Sequence, residues 1–410
     1  MDTPTGSKLT ARQRAHRSKG VNLTLATFTS VVCFWAWTSV SPLGTRYTVS
    51  MDLTSAQTSV LVAMPVLVGS IGRIPVGVLT DRFGGRLLFA LVALATVPAI
   101  LLVALAGSLD AYVFLVAAAL LLGVAGTVFA VGIPFVSQWY PPSRRGFATG
   151  VFGAGMGGTA VSAFLTPRMV EWFGYVPTHL IIAALLLLTA TMVWFFMAEA
   201  PGFTASTEPF LPKLTAAARL GVTWQMSFLY ALVFGGFVAF SSYLPTYLRQ
   251  IYEFNPTEAG TRTAGFAIAA VILRPVGGVL ADRIGSKPVV LTSLAAIAVL
   301  AWVVNLRPDG EIPAGLTFVA MASALGLGAG GVFAWIGAIA PPARVGAVSG
   351  IVSAAGGLGG YFPPLVMGAT YNAEENSYAI GLLLLAGTAL VAFVYTILFV
   401  RDRPPDAPDQ

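Results

Sequence analysis

Charge is what this 410-residue chain has least of: Asp, Glu, Lys and Arg together make up 10% of it, against about 25% in an ordinary soluble domain. A water-facing surface on a chain this long needs charge to stay dispersed. A cytosolic enzyme, a nucleic-acid binder and a secreted disulfide scaffold are thereby excluded. Cysteine is nearly absent too. The one thiol, Cys33, can form neither an internal disulfide nor a thiolate metal site. Two histidines, His16 and His179, are too few for an imidazole-rich site, so no metal and no cofactor is expected. Apolar residues fill the chain instead: 56% are hydrophobic and the mean hydropathy is +0.81. The net charge of +6 comes from basic residues in short runs between apolar stretches, as in the loops of a membrane protein. The chain reads as an integral membrane protein whose solvent is the lipid bilayer and which has no nucleic-acid partner.

A spanning helix takes about 20 apolar residues. Twelve candidates are present: 22–43, 56–80, 87–107, 111–138, 146–167, 176–198, 225–248, 260–281, 288–305, 313–339, 346–368 and 377–400. The expected fold is all-α, with two pseudo-symmetric six-helix bundles at 21–198 and 224–400. A basic tail at 1–20 (Lys8, Arg12, Arg14, Arg17, Lys19) precedes them, a proline-bearing linker at 199–223 joins them, and a tail at 401–410 follows. No signal peptide is expected, since the first apolar stretch is long enough to span and shows no clear cleavage site. An even number of spans puts both termini on one side. That side collects 16 of the 23 basic residues, against five (Arg46, Arg168, Arg249, Arg262, Arg307) on the other. Both termini are expected in the cytoplasm and the protein in the cell membrane; a monomer is expected.

The chain repeats itself. Gly77-Val-Leu-Thr-Asp-Arg-Phe-Gly-Gly-Arg86 recurs 201 residues on as Gly278-Val-Leu-Ala-Asp-Arg-Ile-Gly-Ser-Lys287. Pro141-Pro-Ser-Arg-Arg-Gly-Phe-Ala-Thr-Gly150 recurs 200 residues on as Pro341-Pro-Ala-Arg-Val-Gly-Ala-Val-Ser-Gly350. Two parallel six-helix repeats are a transporter architecture with the substrate site near the midplane. The Gly-x-Leu-x-Asp-Arg-x-Gly-x-Arg/Lys loop resembles the signature of the major facilitator superfamily. Gly77, Asp81, Arg82 and Arg86, with Gly278, Asp282, Arg283 and Lys287, are therefore candidates for a conformational switch whose charge pairs break and reform as the halves rock. The plainer reading of the same loop is a tight turn in which Gly84 or Gly285 supplies a positive φ.

Two arginines stand inside apolar runs. Arg73 and Arg274 each precede the motif aspartate by eight residues, about 12 Å along a helix, which is mid-depth in a hydrocarbon core about 30 Å thick. The repeat relates them, so they are expected to face one another across a central cavity. A charge at that depth is costly and marks a functional site, and snorkelling over about 12 Å exceeds the side chain's reach. All 17 acidic residues fall in a tail, a loop or a span end, so no resident carboxylate neutralises the pair. Two such cations make an anion site, and the flat guanidinium fork suits a small planar oxyanion. Bonding to helix carbonyls opened by Pro75 and Pro275 is the structural alternative.

Span five reads Gly146-Phe-Ala-Thr-Gly-Val-Phe-Gly-Ala-Gly-Met-Gly-Gly158, and span eleven reads Gly350-Ile-Val-Ser-Ala-Ala-Gly-Gly-Leu-Gly-Gly-Tyr-Phe-Pro-Pro364. Small residues at helical spacing let membrane helices approach closely, and where they border a cavity they leave room for a ligand. These segments, with Met64 to Arg86 of span two, resemble the signatures of the nitrate/nitrite porters of the major facilitator superfamily, over essentially the whole chain. The resemblance implies that Arg73 and Arg274 hold the anion. Phe228-Leu-Tyr-Ala-Leu-Val-Phe234 resembles that family's seventh-span aromatic motif, implying Tyr230 as hydrogen-bond donor and Phe234 as a wall. Phe129, in Gly126-Thr-Val-Phe-Ala130, is implied as another wall, and Gly153, Gly157 and Gly357 as glycines bordering the anion. Many members carry an asparagine in the span-five run where this chain has Met156-Gly157-Gly158.

The function implied is secondary transport of nitrate, and with it nitrite, across the cytoplasmic membrane by alternating access. The span-two pattern is similar to the proton-coupled branch and favours symport. Yet no embedded carboxylate is present to carry a proton, and His179, the only histidine near a span, reads as an interfacial bystander. Nitrate/nitrite exchange therefore stands beside symport. An organic-anion porter using the same arginines is the alternative cargo class, and a nitrate receptor without flux is another class. A membrane enzyme is excluded because the spans hold no cluster of His, Asp, Glu or Cys.

Overall fold

A computed structural model describes residues 11–141, 144–201, 203–205, 210–308, 311–341 and 344–401. Twelve helices are long and apolar enough to cross a membrane. Spans 1 to 6 are Lys19–Met51, Ser55–Phe83, Gly85–Ser108, Tyr112–Trp139, Ala148–Phe173 and Tyr175–Phe196. Spans 7 to 12 are Gly221–Tyr252, Pro256–Ile284, Ser286–Asn305, Ile312–Ile339, Val345–Ala369 and Ala379–Phe399. The expected spans are all present, and most ends agree within a few residues.

Two stretches differ from expectation. Residues 11–20, expected in the basic tail, are helical and run directly into span 1, since Ala, Arg and Gln favour helix and no proline interrupts them. The linker contains a helix, Phe210–Ala218; its Pro212 lies in the first turn, where a missing N–H costs nothing, and Trp224 Nε1 donates to Ala218 O (2.7 Å) at its end. Residues 1–10 and 402–410, with Lys8 and Arg403, lie outside the described residues.

The repeat extends to backbone conformation. Spans 1 and 7 end on left-handed residues 201 apart, Asp52 (φ 51°) and Glu253 (φ 57°). Spans 2 and 8 then begin with capping boxes, Thr54 with Gln57 and Asn255 with Glu258, which satisfy the first orphan N–H groups. Both spans end at a glycine of positive φ, Gly84 (88°) and Gly285 (94°), so the tight-turn reading of the motif loops holds in both halves.

Regular helix fails where glycine is dense. Span 2 breaks at Gly72 into Ser55–Ile71 and Arg73–Phe83. Span 4 tightens to a 3₁₀ turn at Gly123–Thr127, and span 5 does so at Ala154–Gly157. Span 11 stops at Gly359 and restarts at Phe362. Glycine is a poor helix former and lets backbones close in. These irregularities surround the mid-depth arginines.

The halves are joined most closely toward the ends of the spans away from the termini. There Ser41 Oγ donates to Ser242 O, Arg249 donates to Thr45 Oγ1, Ser59 Oγ donates to Tyr243 OH (3.2 Å), and Arg168 donates to Thr261 Oγ1 (2.7 Å). On the terminal side, Gly77, Gly150, Gly337, Gly346 and Gly350 border open space.

Candidate functional site

The break at Gly72 makes Arg73 the first residue of a new helical segment, buried to 3% exposure. Its Nη1 crosses to the other half and donates to Ser353 O (3.0 Å) and Ser353 Oγ (3.1 Å) in span 11. Its Nε and Nη2 have no hydrogen-bond partner among the described residues. These two nitrogens share one edge of the guanidinium plane, the edge that engages two oxygens at once.

Arg274 lies in the unbroken span 8 and is half-buried. Its Nη2 donates to Tyr230 OH (2.7 Å) and its Nη1 approaches Met156 Sδ (3.3 Å), the latter in span 5 of the first half. Each arginine therefore bonds across the interface between the halves. Both also lie over the same two rings. The Arg73 Cζ is 5.8 Å from the Phe129 centroid and 5.5 Å from that of Phe234; the corresponding distances for Arg274 are 5.5 and 5.3 Å. Tyr230 stacks on Phe234 (4.9 Å, 4°), and the Tyr230 and Phe333 rings give Arg274 two further faces at 5.7 and 5.5 Å. Ring faces within about 6 Å offset part of the cost of a desolvated cation. Beside Arg274 a cavity of about 10 Å³ is walled by Met156, Phe234, Phe237 and Leu325, room for about one water.

Arg73, Arg274, Tyr230, Phe234 and Phe129 thus come together as the sequence implies. Gly153 and Gly157 border open space. Gly357 does not: a Cβ there would meet Ser70 Oγ at 2.2 Å, so this glycine packs span 11 against span 2. Three contributors were not foreseen. Met156 was noted only as a departure from a pattern. Ser353 is one of two hydroxyls in the span-eleven run, a signal that could have found it. Phe333 carried none. His179, near one end of span 6, is fully buried within the protein, with Nδ1 2.8 Å from Tyr175 O and its ring against Tyr175. Its own helix meets Nδ1, while Nε2 is buried without a hydrogen-bond partner among the described residues.

The motif loops lie at the terminal ends of the spans, where Asp81, Arg82, Asp282 and Arg283 are exposed. Gly77 and Gly278 have open space at their Cβ positions. The last basic residue of each loop caps the final span of its half. Arg86 Nη2 donates to Trp194 O (2.6 Å), and Lys287 Nζ donates to Val400 O (2.8 Å), cations at helix C-termini in both cases. In the first half Glu199 also accepts the Arg86 backbone N–H (2.6 Å). Burial pushes its carboxyl above the ordinary value, against the N–H groups of Arg86 and Gly85 that favour the charged form.

The Major Facilitator Superfamily model matches this chain twice, over residues 26–260 and 226–410. The "Probable nitrate/nitrite transporter NarK2" of Mycobacterium tuberculosis is 58% identical over 386 residues, 94% of this chain and 98% of that protein. The "Nitrite extrusion protein" of Bacillus subtilis is 34% identical, covering 93% of this chain and 95% of its own. The "Probable nitrate/nitrite antiporter NarK1" of Thermus thermophilus is also 34% identical, over 84% of this chain and 83% of its own. A crystal structure of a bacterial homolog of the human lysosomal transporter Spinster superposes with a TM-score of 0.70 at 18% identity, covering 95% of this chain and 99% of that one; this likeness concerns the fold.

Proposed function

This chain belongs to the nitrate/nitrite porter family of the Major Facilitator Superfamily, and on that premise we propose that it carries nitrate, and with it nitrite, across the cell membrane by alternating access. The anion is held between Arg73 and Arg274. The observation that carries this reading is the free Nε–Nη2 edge of Arg73, buried at mid-depth. A buried cation with unmet donors is costly, and a planar oxyanion offers two oxygens at the spacing of that edge. Tyr230 and Met156 hold the Arg274 head in place, Phe129 and Phe234 wall the site, and Gly153 and Gly157 leave room for passage. All of these groups come from one chain, so a monomer suffices. The basic-residue bias supports a cytoplasmic position for both termini.

Two unneutralised guanidinium groups resist being closed off together, and the anion offsets that resistance. Occupied carriers therefore interchange readily between inward-open and outward-open states and empty ones poorly, because the anion's affinity differs between the open and closed arrangements. The paired motif loops, with Asp81, Arg82, Asp282 and Arg283 at their exposed ends, serve as the switch on the terminal side.

Similarity in span 2 favours proton symport. A second reading, nitrate/nitrite exchange, is favoured by the composition of the site, where the groups contacting the arginines are hydroxyl, thioether, carbonyl and aromatic. Uptake of labelled nitrate into proteoliposomes, empty or preloaded with nitrite, with and without an inward proton gradient, separates the readings. Gradient-driven uptake into empty vesicles establishes symport; uptake that needs internal nitrite and ignores the gradient establishes exchange; no nitrate flux under any condition overturns the proposal.

A further inference from the structure

Span 7 carries a second stripe, turned away from Tyr230 and Phe234: Phe228, Leu232, Gly236, Ala239, Tyr243 and Tyr247 recur at helical spacing. Ala239, in its middle, is a short side chain on the groove wall, and Gly236 beside it adds none, its own Cβ position being taken up by Leu325. The break in span 11 widens that space. Its second segment begins at Phe362 with two prolines in the first turn and packs on span 2 of the first half, where a Cβ on Gly368 would meet Ser59 Oγ at 2.0 Å. Spans 7 and 12 are tied near their ends, through Gln225 Nε2 and Phe399 O (3.4 Å) and through the hydroxyls of Tyr243 and Tyr378 (3.0 Å). Between these ties they part around a groove of about 320 Å³. On span 7 it runs from Phe228 to Tyr247, about 28 Å along a helix, close to the thickness of the hydrocarbon core.

The groove opens sideways through exposed Phe228, Phe362 and Leu384. Its walls are almost wholly hydrocarbon, and two of its hydroxyls are already engaged: Tyr243 with Ser59 and Tyr378, and Thr388 Oγ1 with Leu384 O (2.7 Å). Water gains little there, since apolar cavities of about 150 Å³ stay dry and take up hydrocarbon instead. An empty groove would forfeit the dispersion contacts of every wall atom.

We propose that this groove is a binding site for an acyl chain of a bilayer phospholipid. It lies in membrane-spanning helices and opens to the bilayer, and its length suits an extended chain. It is separate from the anion site, and a bound chain there is expected whichever anion is carried. The bound chain braces the closed side of the carrier, because Tyr243 and Met367 line the groove while Tyr243 itself and Gly368 make the contacts with Ser59 across the halves.

The test uses the full chain reconstituted in bilayers containing a phospholipid with a photoreactive diazirine in one acyl chain, with labelled residues located by mass spectrometry. The expected result is enrichment of label at 228–247, 359–367 and 381–388 over Leu187 and Leu188, lipid-exposed residues of span 6. Ala239→Leu, which adds three carbons to the groove wall, lowers that label at least about tenfold and leaves span 6 unchanged. Thr388→Phe, which narrows the exposed rim without touching the core, lowers it in the same direction and guards against a folding defect in the first variant. Label no greater than at Leu187 and Leu188 overturns the proposal, and so does enrichment that neither substitution diminishes.

Discussion

Arg73 and Arg274 occupy equivalent places in two repeats, yet their hydrogen bonding differs. Arg274 has both terminal nitrogens engaged, one of them by Tyr230 of its own half. Arg73 has only Nη1 engaged, and its Nε–Nη2 edge is free. The residue 201 positions before Tyr230 is Thr29, whose short side chain is already bonded to Leu25 O (2.7 Å) in its own helix. A tyrosine reaches mid-cavity; a threonine back-bonded to its own turn does not. This difference between the repeats gives Arg274 a tyrosine partner from its own half and leaves Arg73 without one. Pseudo-symmetric halves provide two cations whose partners are not symmetric, and under the proposed function this asymmetry divides their roles.

Substitutions at these partners test that division, beginning with the largest effect. Arg73→Lys keeps the charge and removes the two-nitrogen edge; labelled-nitrate flux is expected to fall at least about 100-fold. Near-normal flux would break the comparison outright. Tyr230→Phe frees one donor of Arg274 while keeping the ring, with an expected loss of about tenfold in apparent nitrate affinity, one hydrogen bond to a charged group. Ser353→Ala removes the hydroxyl but leaves the carbonyl that Arg73 also uses, so an effect of about threefold is expected in the same assay. Met156→Leu keeps the volume and loses only the sulfur contact, and flux should stay within about twofold.

The smallest effect concerns the other asymmetry, at the motif loops. Glu199 caps span 3 in the first half, and the matching position of the second half is Val400. Its carboxyl is raised in the folded protein, so the folded state binds the proton more tightly than the unfolded one. Stability should rise modestly as pH falls through that folded value and decline again above it. In Glu199→Gln this slope should be missing from thermal unfolding measured against pH.

The architecture was legible because hydropathy, loop charge and repetition are written along the chain; even the turn glycines Gly84 and Gly285 announced their positive φ. The paired arginines were legible for the same reason, being charges where the bilayer permits none without cause. What could not be read was rotation and cross-half contact. Whether Gly357 faces a cavity or Ser70 depends on how two helices meet, and no periodicity encodes that. Ser353 and Met156 lie 280 and 118 residues from the arginines they touch, beyond any local pattern. The burial of His179 was likewise unreadable, since nothing local shows that its ring packs on Tyr175 inside the bundle.

The crosswise bonds of the two arginines also bear on how such a carrier came to be. Neither half owns a complete site: each supplies a cation and the other supplies part of its anchor. A half acting alone would lack the partner that the other half supplies, Ser353 for Arg73 and Met156 for Arg274. Ser353 O, a backbone atom that no codon change can delete, is the part of that pairing least open to later drift.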